Sequence, residues 1–99
     1  MKPAQILPAA FALIMATLPA SADNEAAPML AQSCAGCHGQ AGAGQGSVPD
    51  LRGYDRDDFV RLWEEFRTDA RPATMMNRIA RGYTEAEVAA LADYFASLE

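Results

Sequence analysis

The stretch Cys34-Ala35-Gly36-Cys37-His38 decides how this chain can fold. C-x-x-C-H is the pattern at which a porphyrin is attached covalently to a polypeptide as a c-type haem. The two thiols are spaced to add across the two vinyl groups of one porphyrin, and the adjacent imidazole can then bind the iron as proximal ligand. Cys34, Cys37 and His38 are therefore the candidate cofactor-binding residues, and haem c with its iron is the expected cofactor.

Three other kinds of site use the same residue types, and the sequence fits each of them less well. A zinc site needs four ligands, but the chain has only two cysteines and one histidine, so a lone carboxylate would have to complete the set. A thioredoxin-like redox pair follows a strand in a βαβ pattern, which the sequence lacks. A plain structural disulfide would leave His38 without a role. Haem attachment is the favoured interpretation.

The N-terminus has the pattern of a secretory signal peptide. Met1-Lys2 is positively charged, residues 6–18 are apolar, and the segment ends in an A-x-A cleavage site at Ala22. The apolar run is about 13 residues long, whereas about 20 are needed to span a bilayer, so a retained anchor is the weaker interpretation. Because covalent haem attachment is carried out outside the cytoplasm, we expect residues 1–22 to be removed and the protein to reside in the periplasm.

Residues 23–99 then form a single monohaem domain with no membrane anchor. A chain of this size rarely folds on an apolar core alone, and a covalently held haem can serve as the centre of the core. Residues 23–99 contain seven basic residues, all of them arginines, and thirteen acidic residues, so their net charge is −6. This balance argues against nucleic acid and anionic membranes as partners.

Apolar spacing and turn residues predict an all-α fold with three main helices and a short one. The predicted helices run from about Asn24 to Cys34, from Asp55 or Asp57 to Asp69, over Thr74 to Gly82, and from the cap at Thr84 to Leu98. Pro28 is expected only in the first turn of the first helix, so that helix could begin later. Trp63 lies on the apolar stripe of the second helix, which predicts a core residue rather than a specific haem contact.

The glycine-rich segment from Gly39 to Tyr54 is predicted to be a loop. A proximal histidine needs an acceptor for its second ring nitrogen, usually a carbonyl oxygen. Pro49 has a fixed φ and no N–H, which suits it to carry that carbonyl rigidly beside His38. An ordinary loop proline explains the residue equally well.

The sixth iron ligand has to come from a methionine, because His38 is the only histidine in the chain. Met29 precedes the attachment site on its own helix and is badly placed to cross the ring, whereas Met75 and Met76 lie far enough along the chain to do so. A thioether favours Fe(II), raises the reduction potential and suits electron transfer. Periodicity does not choose between the two neighbours, and gap-filling core residues remain the alternative.

These features resemble the class I cytochrome c family, and the resemblance covers essentially all of residues 23–99. It is carried by the haem-attachment motif, by Pro49-Asp50-Leu51-Arg52-Gly53, by Met75-Met76, and by a last helix ending Leu91-Ala92-Asp93-Tyr94-Phe95. The resemblance implies that the Pro49 carbonyl supports His38. It also implies that the axial ligand is Met76, eight positions before the cap at Thr84. It further implies contact between Leu30-Ala31 and residues 91–94.

The segment from Thr74 to Thr84 resembles the cytochrome subunit of flavocytochrome c sulfide dehydrogenase. In that family a flavoprotein oxidises sulfide at a disulfide and FAD and passes the electrons to the cytochrome subunit. The resemblance implies a flavoprotein (FAD) partner. Arg78 or Arg81 would meet a haem propionate or the partner, but a solvated helix face explains each arginine at least as well. Many such subunits carry two haems in tandem domains, whereas this chain has one attachment motif.

The sequence therefore predicts a periplasmic electron-transfer protein with His38 and Met76 on the iron, accepting electrons from a flavoprotein sulfide dehydrogenase. The first alternative is a freely diffusing periplasmic electron carrier of another respiratory or photosynthetic chain, with other redox proteins as its partners. The second is a haem enzyme or sensor with an open distal site, in which Met76 is only a core residue. The chain is expected to be an electron-transfer subunit rather than a catalyst by itself.

Overall fold

The computed structural model describes the backbone from Ala22 to Glu99 and the side chains from Glu25 onwards, so the predicted signal peptide lies outside the described residues apart from the backbone of Ala22. This range contains five α-helices: α1 (Ala22–Gln32), α2 (Ala35–His38), α3 (Arg56–Arg67), α4 (Met76–Ile79) and α5 (Glu85–Ser97). It also contains two 3₁₀ turns, at Gln40–Gly42 and Ala80–Gly82. Extended pairing within residues 22–99 is limited to one bridge between Gln45 and Val48. The all-α prediction is confirmed.

The first helix ends earlier than predicted, at Gln32 rather than Cys34. The Ser33 hydroxyl donates to the Leu30 carbonyl at 2.7 Å, and the Cys34 N–H bonds three residues back to the Ala31 carbonyl at 3.0 Å. A serine that bonds the preceding turn competes with regular helical pairing, which ends α1 at this point. The chain then starts a new helical turn, α2, whose His38 N–H bonds the Cys34 carbonyl at 2.8 Å.

The expectation for Pro28 was wrong, because this residue lies in the interior of α1 rather than in its first turn. A proline there removes one helical hydrogen bond and costs about 3 kcal/mol. Tertiary packing offsets that cost, because Ala27 and Ala31 on the same helix are buried and α1 packs against α5. The packing preference of the helix face therefore overrides the local preference of one residue.

Side-chain caps fix the starts of the two longer helices. The Asp55 carboxylate accepts from the Asp58 N–H at 2.9 Å, so the cap of α3 is Asp55 and not Asp57. At α5 the Thr84 hydroxyl accepts from the Glu87 N–H at 3.1 Å, and the Glu87 carboxylate accepts from the Thr84 N–H at 2.9 Å. This reciprocal capping box is the one that the sequence predicts.

The core lies where α1 and α3 pack on α5. Leu91 and Phe95 of α5 are fully buried, and the ring of Phe59 stacks between those of Trp63 and Phe95 at centroid distances of 5.7 and 5.9 Å. Ala31 of α1 belongs to the same buried cluster as Leu91, which confirms the expected contact between the first and last helices. No helix within residues 22–99 is both long and apolar enough to cross a bilayer.

Candidate haem site

A cavity of about 710 Å³ lies between the attachment motif, the glycine-rich loop, α3 and the segment that leads into α5. Its volume is within the range of about 300–1,000 Å³ that is usual for cofactor sites. The residues that line it are mostly apolar, and the set includes Cys34, Cys37, His38, Pro49, Leu51, Tyr54, Phe59, Leu62, Trp63, Phe66, Met75, Met76, Ile79 and Tyr83. The structure therefore brings all four sequence-predicted site residues to one cavity.

His38 is buried, and its Nδ1 lies 2.8 Å from the carbonyl oxygen of Pro49. A carbonyl oxygen can only accept, so Nδ1 carries the proton and Nε2 keeps its lone pair. The Pro49 carbonyl thus sets both the tautomer and the orientation of the imidazole. Of the two interpretations of Pro49, the geometry favours the rigid carrier of an acceptor over the ordinary loop proline.

Glycine residues in the loop allow Pro49 to lie close to His38. The Gly44 N–H bonds the His38 carbonyl at 2.5 Å, and Gly44 has a φ of +88°, a conformation that L side chains rarely adopt. A Cβ on Gly44 would lie 3.1 Å from the backbone nitrogen of Asp50, so the two arms of the loop pass close together. The loop can therefore fold back and bring Pro49 to His38.

The two cysteines are free thiols in different surroundings. Cys34 is half-buried and Cys37 is exposed. Burial raises the pKa of the Cys34 thiol, and a weaker opposing effect comes from the hydrogen bond with Ser33. A raised pKa disfavours the thiolate that metal binding and disulfide exchange require. Within the described residues, no group of three or more His, Cys, Asp or Glu side chains is assembled for a metal ion. Both cysteines line the same cavity as His38, as the attachment of one porphyrin through two thioethers requires.

The three methionines with described side chains differ in their position relative to the cavity, as their places in the sequence predict. Met29 is 75 % exposed and lies outside the lining of the cavity. Met75 and Met76 both line it, but Met75 is 52 % exposed, whereas Met76 is half-buried and packs against the hydrophobic core. An imidazole nitrogen, two thiols and a thioether sulfur therefore belong to residues that line one apolar cavity, and together they are the donor set of a His/Met-ligated haem c.

Sequence reasoning missed Tyr83 and Asn77 beside the cavity. Since the Ser33 hydroxyl proton is given to Leu30, the Tyr83 hydroxyl donates to Ser33 Oγ, at 2.9 Å, and so links the attachment motif to the methionine segment. The Asn77 amide bonds two carbonyls across the loop after α3. Neither residue lies on a periodic stripe or in a motif, so no local pattern could have identified them.

Trp63 is buried in the core as predicted, and it also lines the cavity. Its indole N–H donates to the Ala80 carbonyl at 3.1 Å. The ring also meets Tyr83 edge to face at a centroid distance of 5.2 Å. Trp63 therefore packs in the core, lines the cavity and holds the segment that follows Met76.

Comparison with known proteins agrees with this site. The sequence profile of the family described as Cytochrome c matches residues 24–99. The chain is 36 % identical over 70 residues to the cytochrome subunit of sulfide dehydrogenase of Chlorobaculum tepidum, covering 71 % of this chain and 64 % of that protein. It is 35 % identical over 66 residues to cytochrome c-552 of Acidithiobacillus ferridurans, covering 67 % and 29 % of the two chains.

A further relative is the thiosulfate dehydrogenase electron acceptor of Stutzerimonas stutzeri, 36 % identical over 69 residues, which cover 66 % of this chain and 32 % of that one. The chain thus spans between about a third and two thirds of the length of these relatives. The family match covers the attachment motif, the loop and the methionine segment together. This chain therefore belongs to the cytochrome c family, and its cofactor is covalently bound haem c with its iron.

Proposed function

We propose that this chain is a periplasmic carrier of single electrons, in which Cys34 and Cys37 hold the haem and His38 and Met76 are its axial ligands. The observation that carries the proposal is the cavity itself. It is lined both by the His38 imidazole, oriented by the Pro49 carbonyl at 2.8 Å, and by the Met76 thioether. When bound, the haem iron supplies a one-electron couple between Fe(III) and Fe(II).

His38 acts through its free Nε2, because Nδ1 is committed to Pro49. Donation from Nδ1 to a carbonyl makes Nε2 a better electron donor to a metal and holds the ring in one orientation. Burial of the ring keeps water away from this bond, which strengthens it. The histidine therefore binds as a strong, fixed ligand.

Met76 is preferred to Met75 as the second ligand. Half-burial and core packing restrict the Met76 side chain, whereas Met75 is more than half exposed. A ligand that is already confined by packing loses less conformational entropy on binding. Met76 would supply the second protein ligand to the iron, and the haem would then serve electron transfer rather than the enzyme or sensor chemistry of an open site.

The absorption spectrum tests the ligand assignment. Methionine on the oxidised iron gives a weak sulfur-to-iron band in the red, and a filled distal site binds added CO or cyanide slowly. Loss of the band with fast binding of both reagents would support the open-site alternative instead. The intact mass tests the attachment and the leader, since we expect residues 23–99 plus one haem from the periplasmic fraction.

We propose that the electron donor is a flavoprotein of the sulfide dehydrogenase class. The proposal rests on the relative named as a cytochrome subunit of sulfide dehydrogenase, whose length this chain covers to 64 %. Two relatives named as thiosulfate dehydrogenase electron acceptors favour a second candidate, a diffusing carrier that takes electrons from thiosulfate oxidation. Both candidates use the same haem site and differ only in the donor.

Gel filtration of a gentle periplasmic extract, followed at haem and flavin wavelengths together, separates the two donors. Co-elution of this chain with flavin, and reduction of its haem on adding sulfide, would support the flavoprotein. Elution as a small haem protein that thiosulfate plus extract reduces, and sulfide does not, would favour the diffusing carrier.

The two arginines considered for partner contact differ in their surroundings. Arg81 forms an ion pair with Asp69, and its Nε donates to the Arg67 carbonyl at 3.3 Å. Arg78 is exposed and, within the described side chains, takes part in no ion pair. Met75 and Ile79 beside it are exposed apolar residues that line the mouth of the cavity. We therefore assign partner contact to Arg78 and a structural role to Arg81.

A further inference from the structure

We propose that Asn77 is a positioning residue for the axial methionine: its side-chain amide ties the turn that carries Met76 to the end of α3 and holds the thioether in the cavity. The inference rests on the proposed function, because it takes Met76 as the ligand. Asn77 does not itself line the cavity, so it would act through its neighbour.

The amide of Asn77 makes two hydrogen bonds, and both go to backbone carbonyls on the other side of the loop after α3. Nδ2 donates to the Phe66 carbonyl at 3.2 Å and to the Arg71 carbonyl at 2.8 Å. An amide NH₂ has two protons, so each carbonyl receives one of them. Phe66 lies in the last turn of α3, and its carbonyl also accepts a longer hydrogen bond from the Asp69 N–H at 3.3 Å. Asn77 therefore joins the turn that carries Met76 both to the end of α3 and to the middle of the loop that follows it.

The turn that carries Met76 needs such support, since α4 is only four residues long and Met75 offers it no side-chain cap. A helix of one turn is far too short to be stable alone. Two further hydrogen bonds hold the end of the segment that is farther from Met76. The Trp63 indole N–H donates to the Ala80 carbonyl, and Arg81 donates to the Arg67 carbonyl. Asn77 supplies the corresponding bonds at the end next to Met76.

The tether matters for ligation because a neutral thioether is the weaker of the two axial donors. The more freely the Met76 side chain and its turn move, the more entropy is lost each time the sulfur binds. Breaking the Asn77 bonds should therefore raise the fraction of molecules with an open distal position. We expect this fraction to rise about tenfold, the factor typical of losing a net hydrogen-bond contribution.

The test compares Asn77→Ala and Asn77→Asp with the wild-type holoprotein. Alanine removes both donors, and aspartate keeps the shape but turns an oxygen toward two carbonyl oxygens. In both variants we expect a weaker red band in the oxidised protein, about tenfold faster cyanide binding and a lower reduction potential. Asn77→Gln, which keeps the amide on a longer stem, should restore part of each property.

Thr68→Ala is the matched control, because Thr68 also donates to a carbonyl in the last turn of α3, that of Glu64 at 2.9 Å, but it does not reach the methionine segment. We expect this variant to unfold at a lower temperature with an unchanged red band and cyanide rate. If Asn77→Ala behaves like Thr68→Ala, Asn77 has only a structural role and the inference is overturned.

A Met76→Ala variant separates this result from a failure of the proposed function. If it loses the red band while Asn77→Ala keeps the band and the cyanide rate of the wild type, methionine ligation stands and the role of Asn77 is refuted. If the wild type and Met76→Ala have the same spectrum and the same fast cyanide binding, the ligand assignment fails and the inference fails with it.

Discussion

The carbonyl oxygen of Pro49 lies 2.8 Å from Nδ1 of His38, eleven residues away along a glycine-rich loop. This bond joins the loop to the proximal side of the haem site. If His38 and Met76 bind the iron as proposed, this bond makes the imidazole more electron-rich and favours Fe(III) over Fe(II), which opposes the effect of the thioether. We therefore expect the reduction potential to depend on how rigidly the loop holds one carbonyl.

Pro49→Gly tests that dependence, since it keeps the carbonyl but releases φ. We expect the potential to rise by about 20–60 mV, which for a one-electron couple corresponds to a roughly two- to tenfold change in the ratio of the two oxidation states. Ala43→Gly, in the same loop but outside the lining of the cavity, should leave the potential unchanged. Potentiometric titration of both variants is the measurement, and equal potentials would contradict the role of Pro49.

A second prediction concerns Gly42, where a Cβ would lie 2.7 Å from Cε1 of the buried Phe95 and where φ is +73°. We expect Gly42→Ala to destabilise the holoprotein by about 2–4 kcal/mol, from backbone strain and overpacking together. Gly46→Ala has the strain without the clash (φ +55°, nothing within 4 Å) and should cost about 1 kcal/mol. Gly82→Ala has neither and should be nearly neutral.

Chemical denaturation of the three glycine variants ranks these effects. Equal losses for the variants at positions 42 and 46 would mean that Phe95 moves aside at no cost. A large loss for Gly82→Ala would mean that the segment after Met76 is packed more tightly than the open space beside Gly82 indicates.

The third prediction is a pH dependence at Asp50, next to Pro49. Hydrogen bonds from the Arg52 side chain and then from its backbone N–H hold the pKa of this carboxyl below its ordinary value. A lowered pKa in the folded state stabilises the fold above the unfolded pKa of about 3.9, and the contribution is lost as the pH falls through the folded value. Both side chains are solvent-accessible, so the effect should be small.

Asp50→Asn isolates this contribution, because the amide oxygen can still accept from the Arg52 N–H but carries no charge. We expect the variant to melt slightly below the wild type at pH 7, by a difference that shrinks as the pH falls below about 4. A difference that persists undiminished at pH 2.5 would show that the charge of Asp50 is not its cause.

Much of the fold could be predicted because local chemistry determines it. The Thr84 capping box and the Asp55 cap fix where α5 and α3 begin, and the apolar stripe through Phe59 and Trp63 identifies the face of α3 that packs on the core. These helix starts and this apolar face depend on residues within four positions of each other, so they can be recognised directly in the sequence. The attachment motif is local in the same way.

The parts that could not be predicted depend on residues far apart in the chain. The end of α1 depends on Ser33, which bonds both its own helix and Tyr83 fifty residues later. The interior position of Pro28 depends on packing against α5. Periodicity does not choose between Met75 and Met76, and the greater burial of Met76 supports the choice that the family resemblance implies.

The central claim is that His38 and Met76 together bind the iron of an electron-transfer haem. The most direct test is the oxidised spectrum of Met76→Ala beside that of Met75→Ala, both with haem attached. We expect Met76→Ala to lose the sulfur-to-iron band and bind cyanide rapidly, while Met75→Ala keeps the band and the slow rate of the wild type. Loss of the band in Met75→Ala but not in Met76→Ala, or its absence from the wild type, would contradict the account.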